Sequence, residues 1–209
     1  MGALYNLMAG QSLERLAALS DGVFAIAMTL LVLDLRLPET GKIHSEHDLW
    51  RALVLLGPRF IAYLMSFLTL GIFWVGQQTQ LNRFARADRN LAWLHIAFLL
   101  FVSIMPFSTA LLAGFITYRI ALLTYWLNIL ILGVMLFVGW RYARRAELTK
   151  PDTTEQISAA IERRIVRAQA LYAFGALLCV FSTYWSIALI VVIQLNYAIA
   201  PRIRPLYRL

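Results

Sequence analysis

The sequence predicts an all-α integral membrane protein with six transmembrane helices, and three observations carry that reading. Of 209 residues, 61% are hydrophobic and only 14% charged, and the mean hydropathy is +0.70, too apolar for a water-soluble domain of this size. Apolar runs near the roughly 20 residues that cross a bilayer recur along the chain and leave no room for a separate soluble domain, so residues 1–209 form one transmembrane unit. The basic residues gather in alternate connectors, as they do in a multi-pass protein.

The opening MGALYNLMAGQSLERL has no basic segment followed by an apolar core and a small-residue cleavage site, so the first span is expected to belong to the mature protein. Spans are expected at Leu16 to Leu37, Leu53 to Gln77, Leu91 to Phe115, Ile120 to Val138, Ala168 to Phe181 and Trp185 to Ala200. Pro106 inside the third removes a backbone donor and should bend it. The fifth is short, but Asp152-Thr-Thr-Glu155 has capping-box spacing, and Ile157, Ile161 and Ile165 recur every fourth residue. One helix should therefore start upstream and run into the bilayer. Only Ser182, Thr183 and Tyr184 separate the last two runs, which predicts a tight antiparallel hairpin.

Six spans put both termini on one side. That side holds 14 of the 19 Lys and Arg, at Arg15, in Arg83 to Arg89, in Arg141 to Arg167 and in Arg202 to Arg208. The other side holds Arg36, Lys42, Arg51, Arg59 and Arg119. The excess places both termini in the cytoplasm. The net charge of +8 and pI of 10.1 then match anionic lipid headgroups, and no nucleic-acid partner is needed. The lone Cys179 allows no intrachain disulfide and reads as a small buried apolar residue.

Chemistry-bearing motifs are few. There is no glycine-rich phosphate loop, no CxxC and no GxSxG. His44 and His47, with Glu46 and Asp48, cluster in the first external loop but lack a metal-binding helical spacing, and read as surface residues. Neither a metal nor a cofactor is called for. His95 in the third span, beside Trp93 and Asn90, needs a partner in hydrocarbon.

The first span carries the most information. Asp21 beside Ser20 is unfavourable to bury unless neighbouring helices supply donors. At 100° per residue Ile26, Leu30, Leu33 and Leu37 form one narrow stripe with Thr29 at its margin, while Ser20 and Asp21 point elsewhere. One face should lock into the bundle, and the other presents a ladder of branched apolar side chains. Spacing alone leaves open whether the ladder meets lipid, core or a pore.

Arg15-x3-Leu19-Ser20-Asp21, followed by Val23-Phe24-Ala25-Ile26 and Thr29-Leu30-Leu31-Val32, resembles the RxxxFSD signature of the transmembrane protein 175 family, the endolysosomal potassium channel and its prokaryotic relatives. Tyr63-Leu-Met-Ser66-Phe67 with Phe73-Trp74, and Asn90-Leu-x-Trp93-x-His95 with Pro106-Phe107-Ser108, extend the likeness over the first half of the chain. Leu19 stands in place of the signature phenylalanine, and Gln77 where a histidine is expected after Trp74. The resemblance implies a homotetrameric, potassium-permeable leak channel of the prokaryotic single-unit form in the plasma membrane, with the first helix lining a central pore and potassium as the permeant ion. On that resemblance Ile26, Leu30 and Leu33 constrict the pore, and Thr29 contributes to selectivity. Arg15, Ser20 and Asp21 fix the first helix, with Trp74, Gln77, Asn90 and His95 as partners. There is no TVGYG-type filter and no Arg-rich voltage sensor. An ion- or proton-coupled transporter using Arg15, Asp21 and His95 is the alternative; an enzyme would have only the Asp21 and His95 region to work with, and none is expected.

Overall fold

The computed structural model describes residues 12–36, 41 and 43–199. Leu37, Lys42, Ala200, Arg202, Arg204 and Arg208, used above for the stripe, the span ends and the charge balance, lie outside the described residues. Within them the chain is helical, with seven α-helices rather than six.

Helix α1 spans Leu13–Leu30 and is capped by Ser12, whose side chain accepts from the Arg15 amide. It continues as a 3-10 segment, Leu31–Asp34. The additional helix is α2, Glu46–Leu55. Ser45 starts it by accepting from the Asp48 amide at 3.1 Å, while the Asp48 carboxylate accepts from the Ser45 hydroxyl at 2.8 Å and the His44 amide at 3.3 Å. That is a reciprocal cap of the capping-box kind. Both contacts hold the Asp48 carboxyl below its ordinary value, the Ser45 hydroxyl first.

Helix α3, Gly57–Leu81, begins after Leu56 with Pro58 in its first turn. The second span therefore does not start at Leu53. Proline fits a helix start, where its missing N–H would be unpaired anyway, and interrupts a helix that tries to run through it. Helix α4, Arg89–Gly114, is capped by Asp88 and continues past Pro106. Helix α5, Arg119–Arg145, closes with Arg144 and Arg145 at its negative dipole end. Glu147 follows in the left-handed region at φ 53°, and the Leu148 amide reaches back to the Ala143 carbonyl, which is a Schellman closure. The reversal lays Phe84 against Thr149 as an isolated bridge and stacks Phe84 on Trp140.

Helix α6, Glu155–Leu177, is capped by Thr154 rather than Asp152. Asp152 instead pairs with Arg83 at 3.4 Å, while Arg144 binds Glu155 and Glu162. A 3-10 segment, Leu178–Val180, holds the buried Cys179 and leads through a tight turn to α7, Thr183–Ile199. Among the described residues four helical stretches are long and apolar enough to cross a membrane: Leu13–Asp34, Gly57–Leu81, Arg89–Gly114 and Arg119–Arg145. Helix α7 is apolar but shorter, and the first half of α6 carries Glu155, Glu162, Arg163 and Arg164.

The core runs between all of these except α2. Phe24 and Ala27 of α1 and Leu31 of the 3-10 segment meet Met65 and Phe73 of α3 and Phe98 and Val102 of α4, and the cluster continues through Ile129, Tyr172 and Ile190. Inside it lies a wholly buried polar hub. The Tyr125 hydroxyl contacts Ser66 Oγ at 3.3 Å and Thr69 Oγ1 at 3.2 Å; Thr109 donates to Ser66 at 2.7 Å, and the Gln194 amide donates to Thr69 at 2.7 Å. Those bonds join α3, α4, α5 and α7, where a buried polar group left unpaired would destabilise the fold.

Candidate functional site on the first helix

Helix α1 packs against α3 and α4 along one side, through Leu16, Ser20, Phe24 and Ala27, and Leu31 of the 3-10 segment continues that side. Ser20 is completely buried. Its hydroxyl donates to the Leu16 carbonyl at 2.8 Å, and its lone pairs face Gln77 Nε2 at 2.8 Å and His95 Nε2 at 2.6 Å. The Gln77 amide nitrogen also lies 2.9 Å from His95 Nε2, so Ser20, Gln77 and His95 close a triangle of polar contacts. One hydroxyl thus ties three helices together, and the Gln77 carbonyl oxygen is left buried without a partner. His95 also leans on Phe98, which in turn meets Phe24 and Phe73.

Asp21 sits at the rim of this packed face and is exposed. Its carboxylate accepts from the Trp74 indole at 2.8 Å and from the Gln78 amide at 3.0 Å. Two expectations change here. Asp21 is not a buried charge needing Arg15, and Arg15 is outside the network: its side chain is exposed and has no partner among the described residues. The cause is helical phase, since eleven residues separate Arg15 from Ile26, which brings the two within about 20° on the same side. Asn90 also belongs elsewhere. It donates to the Tyr142 hydroxyl at 3.1 Å, and that hydroxyl donates to the capping carboxylate of Asp88 at 2.5 Å. Asn90 therefore ties the start of α4 to the end of α5.

The opposite side of α1 leaves its large apolar side chains exposed among the described residues. Ile26 is 61% exposed, Leu30 44% and Leu33 68%. Thr29 is exposed beside them, its hydroxyl donating to the Ile26 carbonyl at 2.9 Å, the intrahelical bond common for threonine in apolar helices. That bond uses the proton and leaves the oxygen lone pairs turned outward. The α-helical period ends at Leu30, because Leu31–Asp34 winds as 3-10. Leu33 therefore follows a tighter screw than the uniform 100° step that the stripe assumes.

Gln78 escaped sequence reasoning, although its spacing of four from Trp74 puts both on one face of α3. The Tyr125 hub escaped it too. Among the described residues no three His, Cys, Asp or Glu side chains converge where a metal could sit.

Comparison with known proteins identifies this arrangement. The family model described as endosomal/lysosomal potassium channel TMEM175 matches residues 15–106, which hold α1, α3, most of α4 and every contact of Ser20 and Asp21. A potassium channel from Chamaesiphon minutus is 30% identical over 189 residues, covering 88% of this chain and 93% of that protein. The chain belongs to the TMEM175 family. A crystal structure of a lysosomal potassium-selective channel TMEM175 homolog from Chamaesiphon minutus superposes with a TM-score of 0.78 at 29% identity, covering 90% of this chain and 97% of that one. A potassium channel from Streptomyces collinus is 43% identical over 102 residues, about half of each chain. The human relative is named an endosomal/lysosomal proton channel and matches at 36% over 107 residues, 49% of this chain and 21% of that one. TMEM175 is a family of ion channels, which sets the enzyme alternative aside.

Proposed function

We propose that the chain forms a potassium-permeable leak channel, a homotetramer of six-span subunits with α1 of each lining a central pore. Ile26, Leu30 and Leu33 are its apolar constriction, Thr29 tunes its selectivity, and both termini face the cytoplasm of a cell whose plasma membrane holds the channel. The observation that carries this reading is the two-sidedness of α1. Its Ser20 side is fixed to α3 and α4, while its Ile26 side offers a row of exposed branched residues and one hydroxyl. Fourfold assembly around that row would surround an axis with apolar collars, through which water and ions pass only when the collars are wide enough to stay wet. Potassium sheds its hydration shell more readily than sodium, and Thr29, with its proton spent on the Ile26 carbonyl, would turn oxygen lone pairs toward a passing cation.

Planar-bilayer recording under a potassium gradient, repeated in mixed potassium and sodium, tests each part. Ile26→Asn should raise single-channel conductance several-fold, because a polar collar stays hydrated. An unchanged conductance in a normally assembled protein would put Ile26 against lipid. Thr29→Val keeps the shape and removes the hydroxyl; the reversal potential should move toward the non-selective value while current persists, and an unmoved potential makes Thr29 a packing residue.

A further inference from the structure

A cleft lies between α3 and α6, on the side of the bundle away from α1 and near the end where α5 stops and α6 starts. Ile72, Phe73 and Gly76 of α3, Leu136 of α5, and Ile165 and Ala168 of α6 line it. Its volume of about 80 Å³ compares with the roughly 10–15 Å³ that a single water needs. Two glycines shape it. A Cβ on Gly76 would meet nothing nearer than Leu136 at 3.7 Å, so the space there is left empty by the absence of a side chain. A Cβ on Gly133 would fall 2.0 Å from Gln169 Nε2, so the bare backbone of Gly133 is what admits the Gln169 amide to the wall.

The polar groups of the cleft are unfinished. Tyr172 is 2% exposed and its hydroxyl has no partner among the described residues, nor has the Oε1 of Gln169. An unpaired hydroxyl in apolar surroundings is unfavourable unless something fills the bond. Arg164 also lines the cleft, its guanidinium 5.9 Å from the centre of the Tyr197 ring, and it pairs with no carboxylate among the described residues. Both nearby glutamates, Glu155 and Glu162, are taken by Arg144. Arg164 and Tyr172 are eight residues apart, about 12 Å of helix, and a helical tyrosine leans back toward the N-terminus. The phenol thus reaches toward the arginine end, leaving an anion-binding group and a neutral donor a lipid backbone's length apart over an apolar slot.

We propose that this cleft binds an anionic phospholipid, its phosphate on Arg164, an ester carbonyl accepting from the Tyr172 hydroxyl, and one acyl chain along Ile72, Phe73 and Ile165. Charge selects the headgroup and the slot holds the tail. Occupancy closes a gap between α3 and α6 that the chain leaves open.

Native mass spectrometry of the full-length protein in detergent, titrated with phosphatidylglycerol, with phosphatidylcholine of the same chains, or with glycerol 3-phosphate, tests this. Phosphatidylglycerol should be retained about tenfold more strongly than phosphatidylcholine, and glycerol 3-phosphate should neither bind nor compete. Arg164→Gln should remove the preference between the two lipids, whereas Arg163→Gln, an exposed neighbour outside the cleft, should leave it. Tyr172→Phe should weaken phosphatidylglycerol several-fold, and Ala168→Trp should fill the slot and weaken both lipids. Equal retention of the two lipids by the parent, or equal losses in Arg164→Gln and Arg163→Gln, would reduce the effect to general surface charge and overturn the proposal. Competition by glycerol 3-phosphate would replace the lipid with a free phosphate and overturn it as well. Thermal melting of each variant accompanies the titrations; should Ala168→Trp fail to fold, the arginine pair and Tyr172→Phe decide the matter.

Discussion

The Tyr125 hub and the Ser20 cluster both hold helices together with polar side chains, but they differ in depth and in what they restrain. Tyr125, Ser66, Thr69, Thr109 and Gln194 are all buried, and they join α3, α4, α5 and α7. Ser20 and Gln77 are buried too, yet His95 is only partly so, and the adjoining Asp21 contacts lie at an exposed rim. The hub restrains the scaffold and the Ser20 cluster restrains one helix against it. Water can replace the rim contacts and cannot easily replace those of the hub. A fold assembled this way holds its frame firmly and its first helix by a smaller number of exchangeable bonds.

Four substitutions and one change of condition would break or sharpen that contrast. The largest effect is expected from Tyr125→Ala, which removes both the ring and the centre of the hub and should lower stability by roughly 3–5 kcal/mol; Tyr125→Phe, which removes only the hydroxyl, should account for about 1–3 kcal/mol of it. Thermal melting in detergent measures both, and a Phe variant that melts with the parent would mean the hub's hydroxyls are satisfied without Tyr125.

Next comes Ser20→Ala. It deprives Gln77 and His95 of their shared partner and should lower stability by roughly 1–3 kcal/mol, with the loss seen first as faster amide exchange in α1. Uniform exchange throughout the protein would show α1 to be as tightly held as the scaffold. Asp21→Ala should be milder, under about 1.5 kcal/mol, because Trp74 and Gln78 regain water at the rim; a loss as large as that of Ser20→Ala would mean the carboxylate is buried in the assembled protein.

The smallest effect concerns α2, which neither cluster restrains. Asp48 caps it with a carboxyl held below the ordinary value by Ser45 and His44. Its contribution is therefore complete above the ordinary carboxylate range and is lost as pH falls through the lowered value. Amide exchange in residues 46–55 should rise only in acid below about pH 4, while that of α3 stays constant. Fraying of α2 at higher pH would show that another group holds the cap.

The parts of this molecule legible in its sequence are those written in consecutive residues. The two faces of α1 follow from a period of 3.6 between Ser20 and Leu30, and the long apolar stretches follow from hydropathy. Hydropathy is blind to Gly57-Pro58, so it merges α2 with α3, although the cap at Ser45 and Asp48 stands in the sequence. Asn90 was misplaced because its neighbours on the helix, His95 among them, suggested a common task, whereas a residue at the helix start faces the α5 end. The hub was illegible for a different reason. Thr69 and Gln194 are 125 residues apart, and each alone is one polar residue in an apolar run, a pattern shared by many residues that bond only their own helix.

The 3-10 turn that ends α1 alters the bore of any pore the helix lines. Three residues make one full turn of a 3-10 helix and advance about 6 Å, whereas in an α-helix they fall about 60° short of a turn and advance about 4.5 Å. In ideal 3-10 geometry Leu33 would therefore eclipse Leu30 instead of standing to one side of it. Four such helices around an axis would set two aligned collars one above the other, like successive washers on a bolt, with a gap between them too short for a hydrated ion to rest in. Rewinding those four residues into the α form would offset the collars and shorten the throat by roughly 2 Å, a change in calibre achieved by the thread pitch of one helix while its anchored side stays in place.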